Sequence, residues 1–166
     1  MSPPPTALVL LATWFTGYRA QTLGWDSWFE SEWTEIKTPI EVEVSGRVPA
    51  WLLGSLLRTG SGGYEMGKRQ YNHVFDGFAK LSRFHFNASG LYFSTRFMDT
   101  DIMKRSRKAQ DITPHLCFSQ PTPKFSHMQT MAVMKGPVDV GNINVWRTGD
   151  QLYSTCEQDV TNNCDA

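Results

Sequence analysis

The chain has 166 residues, of which 40% are hydrophobic and 13% aromatic, so it is long enough for one domain with a substantial apolar core. Its 16 basic and 16 acidic residues give a formal charge of zero, which excludes a long-range field favouring nucleic acid or an anionic membrane. We therefore expect a globular protein with no nucleic-acid partner.

The first 27 residues contain an apolar run, Ala7–Phe15, that is too short to span a bilayer but has the length of a signal-peptide core. No Lys or Arg precedes it, and Tyr18 stands where a cleavage site after Ala20 prefers a small residue. Three interpretations of residues 1–27 stay open: a signal peptide, a disordered leader, or a sequence from an incorrect gene boundary. The first of them would place the chain in the secretory pathway.

Aromatic residues at helical spacing predict a short amphipathic helix before the first strand, with its polar side reaching Glu35. The aromatic residues are Trp25, Trp28, Phe29 and Trp33. Farther along, Ile40, Val42 and Val44 alternate with glutamates. This period of two predicts a half-buried strand.

The segment Arg47–Gly77 reads RVPAWLLGSLLRTGSGGYEMGKRQYNHVFDG. Glycines cut it into short apolar pieces, a composition typical of strands and turns, since each glycine would cost a helix about 1 kcal/mol. Its last part, Tyr71–Gly77, mixes aromatic and polar side chains. It predicts a tight corner that leads into a strand.

The clearest predicted hairpin is Ala79–Met98, where aromatic and polar residues alternate on both sides of the turn residues Asn87–Gly90. The pattern then dissolves over Asp99–Pro137, which contains four prolines. We predict a long, mostly irregular connection there, with a short helix around Phe125–Met134.

The irregular connection carries two groups that are open to a functional interpretation. One is a basic cluster, Lys104, Arg105, Arg107 and Lys108. Because no aromatic residues alternate with these cations, we predict a solvated loop. The other is a set of methionines, Met128, Met131 and Met134, for which ordinary packing is the first expectation.

A final hairpin is predicted from Asn142–Trp146, a turn at Thr148–Asp150, and Leu152–Glu157. Alternate residues of its return strand point to one side. They are Tyr153, Thr155 and Glu157.

The three cysteines, Cys117, Cys156 and Cys164, are odd in number and irregularly spaced, which fits neither a disulfide framework nor a metal-binding C-x-x-C pair. We predict free thiols, with pairing of Cys156 and Cys164 left open for a secreted chain.

The segment Arg47–Gly77 resembles the amino-terminal region of the carotenoid cleavage oxygenases, whose pattern is G-x-x-P-x-W-L-x-G-x-L-x-R-x-G-P-G followed by Y-x-H-x-F-D-G. The matching residues, in order, are Gly46, Pro49, Trp51, Leu52, Gly54, Leu56, Arg58, Gly60, Gly62, Tyr71, His73, Phe75, Asp76 and Gly77. Ser61 replaces the family's usual proline, which predicts a less rigid turn at that point. The resemblance spans residues 28–157 and leaves 158–166 as an unmatched tail.

The resemblance implies an all-β fold: about two blades of a seven-bladed β-propeller, preceded by a short helix. A propeller is stabilised by neighbouring blades and by closure of its ring. An incomplete ring leaves unpaired strand edges, so we expect the chain alone to be poorly stable and prone to aggregation.

The same resemblance implies an iron(II)-dependent dioxygenase that oxidatively cleaves a carbon–carbon double bond of carotenoids or apocarotenoids. The family holds its iron with four histidines, and neutral imidazole suits that metal. This chain also has four, namely His73, His85, His115 and His127. The family's ligands, however, lie on later strands, the first in an N-G-x-x-x-H-P-H context. The resemblance therefore implies no iron ligand, no bound iron and no activity for this chain alone.

Glu157 aligns with the glutamate of the family's Y-x-x-T-E-T segment, although Cys156 and Gln158 replace the flanking threonines. The resemblance implies that Glu157 supports the metal by accepting a hydrogen bond from the distal N–H of an iron-bound histidine. The structural alternative is a glutamate at the end of a strand.

The resemblance leaves a second class of function open: a non-catalytic fragment, or a binding protein for an apolar ligand. It implies a cytoplasmic or membrane-associated location, with Met128, Met131 and Met134 near the membrane-facing mouth of the substrate tunnel, facing either the lipid or the tunnel. The family's vertebrate P-D-P-C segment, which is associated with membrane attachment, has no cysteine counterpart in Gln120–Lys124. The resemblance therefore implies no lipid anchor at that place.

Overall fold

The structure, a computed structural model, describes residues 25–133, 139–156 and 161–163. The apolar run Ala7–Phe15 and the residues Met134, Glu157 and Cys164 lie outside this part. The strands are β1 (Ile36–Val42), β2 (Gly54–Gly63), β3 (Glu65–Met66), β4 (Arg69–Gln70), β5 (Phe78–Asn87), β6 (Gly90–Phe97), β7 (Asn144–Thr148), β8 (Gln151–Thr155) and β9 (Thr161–Asn163). The helices are a 3₁₀ helix at Trp25–Phe29, α1 (Asp101–Ala109) and α2 (His127–Val133).

The largest sheet is antiparallel, with strand order β1-β6-β5-β2. Its centre is the β5–β6 hairpin, as predicted. The turn forms because the Asn87 side-chain oxygen accepts hydrogen bonds from the backbone N–H groups of Ser89 (2.8 Å) and Gly90 (3.0 Å). Gly90 has φ of +155°, a conformation that favours glycine.

Strand β2 continues through its glycines and pairs with β5 from Gly54 opposite Phe86 to Gly63 opposite Phe78. The prediction of a turn at Ser61 is therefore wrong, since β2 only shifts its register between Ser61 and Gly63. The predicted division by glycine is confirmed at Gly67, which has φ of +64° between β3 and β4. Gly62 is needed for close packing, because an added Cβ would lie 2.7 Å from the Lys80 side chain. The glycines of this strand permit close approach without ending it.

The predicted carboxy-terminal hairpin is confirmed as β7 and β8, joined at Gly149, which has φ of +61°. Strand β9 extends this sheet to the order β7-β8-β9. It lies within residues 158–166, for which the sequence offered no assignment.

Helix α1 contradicts the prediction that the basic cluster lies in a loop. Thr100 caps the helix, since its side chain accepts a hydrogen bond from the Met103 N–H at 3.2 Å. The Asp139 carboxylate accepts from the Ile102 N–H at 3.1 Å and also from the Asp101 N–H. Ile102 and Met103 are the buried apolar residues of the helix. Two apolar residues give only a weak helical pattern, so the capping groups are needed to define where the helix begins.

The predicted short helix near residue 125 is confirmed as α2. The Ser126 hydroxyl accepts from the Gln129 N–H at 3.3 Å, and the Gln129 side-chain oxygen accepts from the Ser126 N–H at 2.9 Å. Met128 and Met131 are 84% and 61% exposed, so ordinary packing is the wrong interpretation for these two residues.

The amphipathic helix predicted before the first strand is shorter than expected. Helical structure ends at Phe29, and residues 30–35 form neither helix nor strand. Trp33 packs on Phe97 with ring centroids 4.8 Å apart and donates to Glu65 at 3.1 Å. These tertiary contacts hold the Trp33 side chain in place although the residue is not part of a helix. The predicted strand is present as β1 but ends at Val42.

The main apolar core lies at the end of the large sheet that α1 covers. Its buried members are Tyr64, Tyr71, Phe78, Phe97, Ile102, Met103, Ile112 and Phe125. A smaller cluster connects the large sheet to the second sheet, which consists of β7, β8 and β9, because Leu81 and its neighbours pack against Val145 and Leu152.

Candidate functional site

The segment Tyr71–Gly77 forms the predicted corner immediately before β5. Asp76 is 3% exposed, and its carboxylate accepts from the backbone N–H groups of Phe118 (2.8 Å) and Ser119 (3.0 Å). A buried carboxylate is stable when its oxygens are hydrogen-bonded in this way. Asp76 therefore fixes the connection after α1 against the corner.

Asn142 joins the corner to the second sheet. Its side-chain amide nitrogen lies 2.9 Å from the Ser61 hydroxyl oxygen and 2.8 Å from the Phe75 carbonyl oxygen. The Ser61 hydroxyl itself donates to the Val74 carbonyl at 2.7 Å. A proline at position 61 would have no hydroxyl, so the serine adds polar links that the family's usual residue lacks.

His115 lies in a buried hydrogen-bonded group behind the corner. Its Nδ1 is 2.8 Å from the Thr113 carbonyl oxygen, which requires a proton on Nδ1. Its Nε2 is therefore the acceptor for the Tyr71 hydroxyl at 3.3 Å, and the Cys117 sulfur lies 3.4 Å from the same nitrogen. We assign the neutral Nδ1–H tautomer from these partners.

Burial keeps all three of these side chains uncharged. It lowers the pKa of His115 and raises the pKa of Tyr71 well above its ordinary value. Burial, and secondarily the Asp76 carboxylate, raises the pKa of the Cys117 thiol to about 12. Because a reactive cysteine needs thiolate at neutral pH, this group is a structural element and not a nucleophile–base pair.

The other three histidines occupy separate elements. His73 stacks on Phe118 with ring centroids 4.8 Å apart, and His85 on β5 is 2.9 Å from the Ser55 hydroxyl through Nδ1. His127 is exposed at the start of α2. In the part of the chain that the structure describes, no three His, Cys, Asp or Glu side chains are grouped to hold a metal ion. These residues do not fit an iron centre, and Glu157 lies outside them.

The sequence did not predict the polar links made by Asn142, His115 and Cys117. Tyr71 and His115 are 44 residues apart, and Asn142 is 81 residues from Ser61. Such pairings depend on the path of the irregular connection, which carries no periodic signal. Cys117 is a free thiol, as predicted, and no helix in the described ranges is long and apolar enough to cross a membrane.

Comparison with known proteins identifies the family. The family model described as retinal pigment epithelial membrane protein (RPE65) matches residues 29–166. Carotenoid isomerooxygenase of Drosophila melanogaster is 35% identical over 137 residues, which cover 80% of this chain and 22% of that protein. Beta,beta-carotene 15,15'-dioxygenase of Gallus gallus is 33% identical, with 72% and 24% covered. The chain belongs to this carotenoid oxygenase family and spans about a quarter of the length of these relatives.

Solved structures agree with this assignment. A chimera of apocarotenoid oxygenase (ACO) and RPE65 superposes with a TM-score of 0.73 at 27% identity, covering 85% of this chain and 29% of the chimera. Cobalt-substituted Synechocystis ACO gives a TM-score of 0.72 at 26% identity with the same coverage. The antiparallel sheets described above are therefore those of a carotenoid oxygenase fold.

Proposed function

We propose that this chain is the amino-terminal part of an iron(II)-dependent dioxygenase that cleaves a carbon–carbon double bond of carotenoids or apocarotenoids. The observation that carries the proposal is the family match over residues 29–166, with relatives named as a carotenoid isomerooxygenase and a carotene dioxygenase. A cobalt-substituted structural relative supports metal-dependent chemistry in this fold. We propose that the two larger sheets are adjacent blades of a seven-bladed propeller.

In the proposed reaction the carbon–carbon double bond and the O–O bond of dioxygen are broken. Two carbonyl groups form, and each takes one oxygen atom. Dioxygen is therefore the oxidant, and no reductant besides the carotenoid itself is needed. The metal's contribution when bound is the activation of dioxygen. We place its ligands outside the described residues, whose own role is to hold the corner in place through Asp76 and to join it to the second sheet through Asn142.

The proposal is tested by comparing this chain with the longer form obtained by reading the transcript past codon 166. Both are loaded with ferrous ion without oxygen, and the retained iron is measured. We expect far less than one iron per 166-residue chain, whereas the longer form retains iron and converts β-carotene to carbonyl products labelled from ¹⁸O₂. Stoichiometric iron on the short chain would overturn the placement of the ligands. An iron-loaded longer form that leaves carotenoids and apocarotenoids unchanged would overturn the activity.

We further propose that Glu157 accepts a hydrogen bond from an iron-bound histidine in the longer form. Replacing a group of this kind lowers metal affinity about 10- to 100-fold, which we expect for Glu157→Gln. Asp150→Asn, in the exposed turn before β8, is the matched control and should leave iron affinity unchanged. Equal iron affinity in the two variants would contradict this role.

We also propose that α2 contacts a membrane surface. Met128 and Met131 are three positions apart on the helix, share one side, and expose most of their surface to water. Burial of a methionine is worth about 1.5–3 kcal/mol, or about tenfold or more in affinity. Binding to neutral phosphatidylcholine vesicles should therefore fall at least tenfold in a variant carrying Met128→Gln and Met131→Gln. Ile40→Gln, at a 49% exposed position on β1, should bind like the original chain. Equal binding of all three would exclude α2 as the contact.

A further inference from the structure

One face of the large sheet carries several cationic side chains around a serine hydroxyl. Arg83 on β5 is directly opposite Ser94 on β6, and Arg96 lies two positions farther along β6. Side chains two residues apart on a strand share a face, so Arg96 and Ser94 project to the same side. Together with Lys37 of β1 they line an open cavity of about 240 Å³.

The positive charges in this cavity are only partly balanced. Lys37 forms an ion pair with Glu35 at 3.2 Å, and the Arg83 Nε donates to the Ser55 hydroxyl at 3.2 Å. The side chains of Arg96 and Ser94 make no hydrogen bond or ion pair with any residue in the described ranges. The other carboxylate in register with this face, Glu41, is opposite Tyr92, two positions from Ser94.

Apolar side chains lie beside the cations. Leu57 of β2 is opposite Arg83, and Leu81 of β5 is opposite Arg96, so that each arginine is paired in register with a leucine on the same face. Pro39 of β1 closes another side of the cavity. A ligand with a charged head and a short apolar body matches this arrangement better than a bare inorganic ion.

We propose that this cavity binds an organic carboxylate with an apolar tail. The carboxylate oxygens pair with the guanidinium groups of Arg83 and Arg96 and accept a hydrogen bond from the Ser94 hydroxyl, while the tail packs on Leu57 and Pro39. Guanidinium groups present donors in a planar fork that matches a carboxylate. The site is distinct from the corner and from α2, and it does not depend on the proposed oxygenase activity.

The test is a titration of the full chain with octanoate by isothermal calorimetry, with inorganic phosphate and octanol as head-only and tail-only probes. We expect saturable one-to-one binding of octanoate, at least about tenfold tighter than either probe. Arg83→Gln and Arg96→Gln should each weaken octanoate binding about tenfold, the loss typical of one charged hydrogen-bonded partner. Raising the salt concentration should weaken binding further, because the cavity is open to solvent.

Arg58→Gln is the matched control, because Arg58 is an exposed cation on the opposite face of the same sheet. Ser94→Ala is a second, milder variant that changes neither charge nor packing. The proposal is overturned by octanoate binding of undiminished affinity in the chain carrying both Arg83→Gln and Arg96→Gln. It is equally overturned when octanoate does not saturate, or when phosphate binds as tightly as octanoate.

Discussion

The hydroxyl of Tyr71 lies 3.3 Å from Nε2 of His115, and the two rings meet edge to face with centroids 5.6 Å apart. The tyrosine belongs to the corner and the histidine to the connection after α1, so this pair holds the two segments together. Only a neutral imidazole can accept the hydrogen bond at Nε2. The contact between Tyr71 and His115 therefore requires that the buried imidazole stays uncharged.

Acidification should destabilise the fold through His115. Burial lowers the pKa of His115 below its ordinary value near 6.5, so the unfolded chain takes up a proton at a higher pH than the folded chain does. The stability that depends on neutral His115 is fully present above about pH 6.5 and is lost as the pH falls below that value. Urea unfolding between pH 7.5 and 5.0 measures this slope.

His115→Gln should flatten this slope and lower stability at pH 7.5 by about 1 kcal/mol or more, because one buried acceptor is altered. His85→Gln, on β5, makes the same substitution outside this buried group and is the control. The other charged groups near His115 are Asp76, Asp139 and Arg105. A His115→Gln chain that keeps the original pH dependence would show that His115 is not its source.

The sequence predicted the parts of the fold that periodicity specifies. The alternation in Ala79–Met98 identifies its hairpin, since a period of two exposes the same face along each strand. Helix α1 escaped prediction because its buried residues are few and its capping groups include Asp139, which is remote in sequence. The hydrogen-bonded group of Tyr71, His115 and Cys117 could not be predicted from the sequence either. No pattern in one segment indicates which side chain will face it from another.

Asp76 should contribute strongly to stability. Its carboxylate accepts from two backbone N–H groups, and Asp76→Asn replaces one accepting oxygen by an amide donor. Hydrogen bonds to charged groups are worth about 1.5–3 kcal/mol, and we expect a loss of that size in urea unfolding. Asp99→Asn removes an exposed ion pair with Lys104 and should cost less than about 1 kcal/mol. Comparable losses in the two variants would contradict the anchoring role of Asp76.

Asn142 should control how firmly the second sheet is attached. Asn142→Ala leaves the Phe75 carbonyl without this partner, whereas the Asn144 side-chain oxygen accepts from the adjacent Val145 N–H. We expect Asn142→Ala to cost about 1–3 kcal/mol and to speed amide hydrogen exchange in β7 and β8. Asn144→Ala should change neither quantity appreciably. Unchanged exchange in the Asn142 variant would mean that the apolar contacts of Val145 and Leu152 attach the sheet alone.

Two hairpin glycines give a matched comparison of backbone strain with and without a steric clash. Gly67 precedes β4 with φ of +64°, and Gly149 precedes β8 with φ of +61°. A Cβ at Gly149 meets nothing within 4 Å, whereas one at Gly67 would collide with the Gln110 backbone carbonyl at the end of α1. Gln110 is itself held at φ of +52° as the cap of that helix.

We therefore expect Gly149→Ala to cost about 1 kcal/mol, the usual penalty for a left-handed alanine. Gly67→Ala should cost at least about 1–3 kcal/mol more, because either α1 or the turn between β3 and β4 must move. Urea midpoints measure the difference. Helical circular dichroism should fall only in the Gly67 variant, since the collision involves the end of α1. Equal losses in both variants would mean that the backbone at Gln110 relaxes freely.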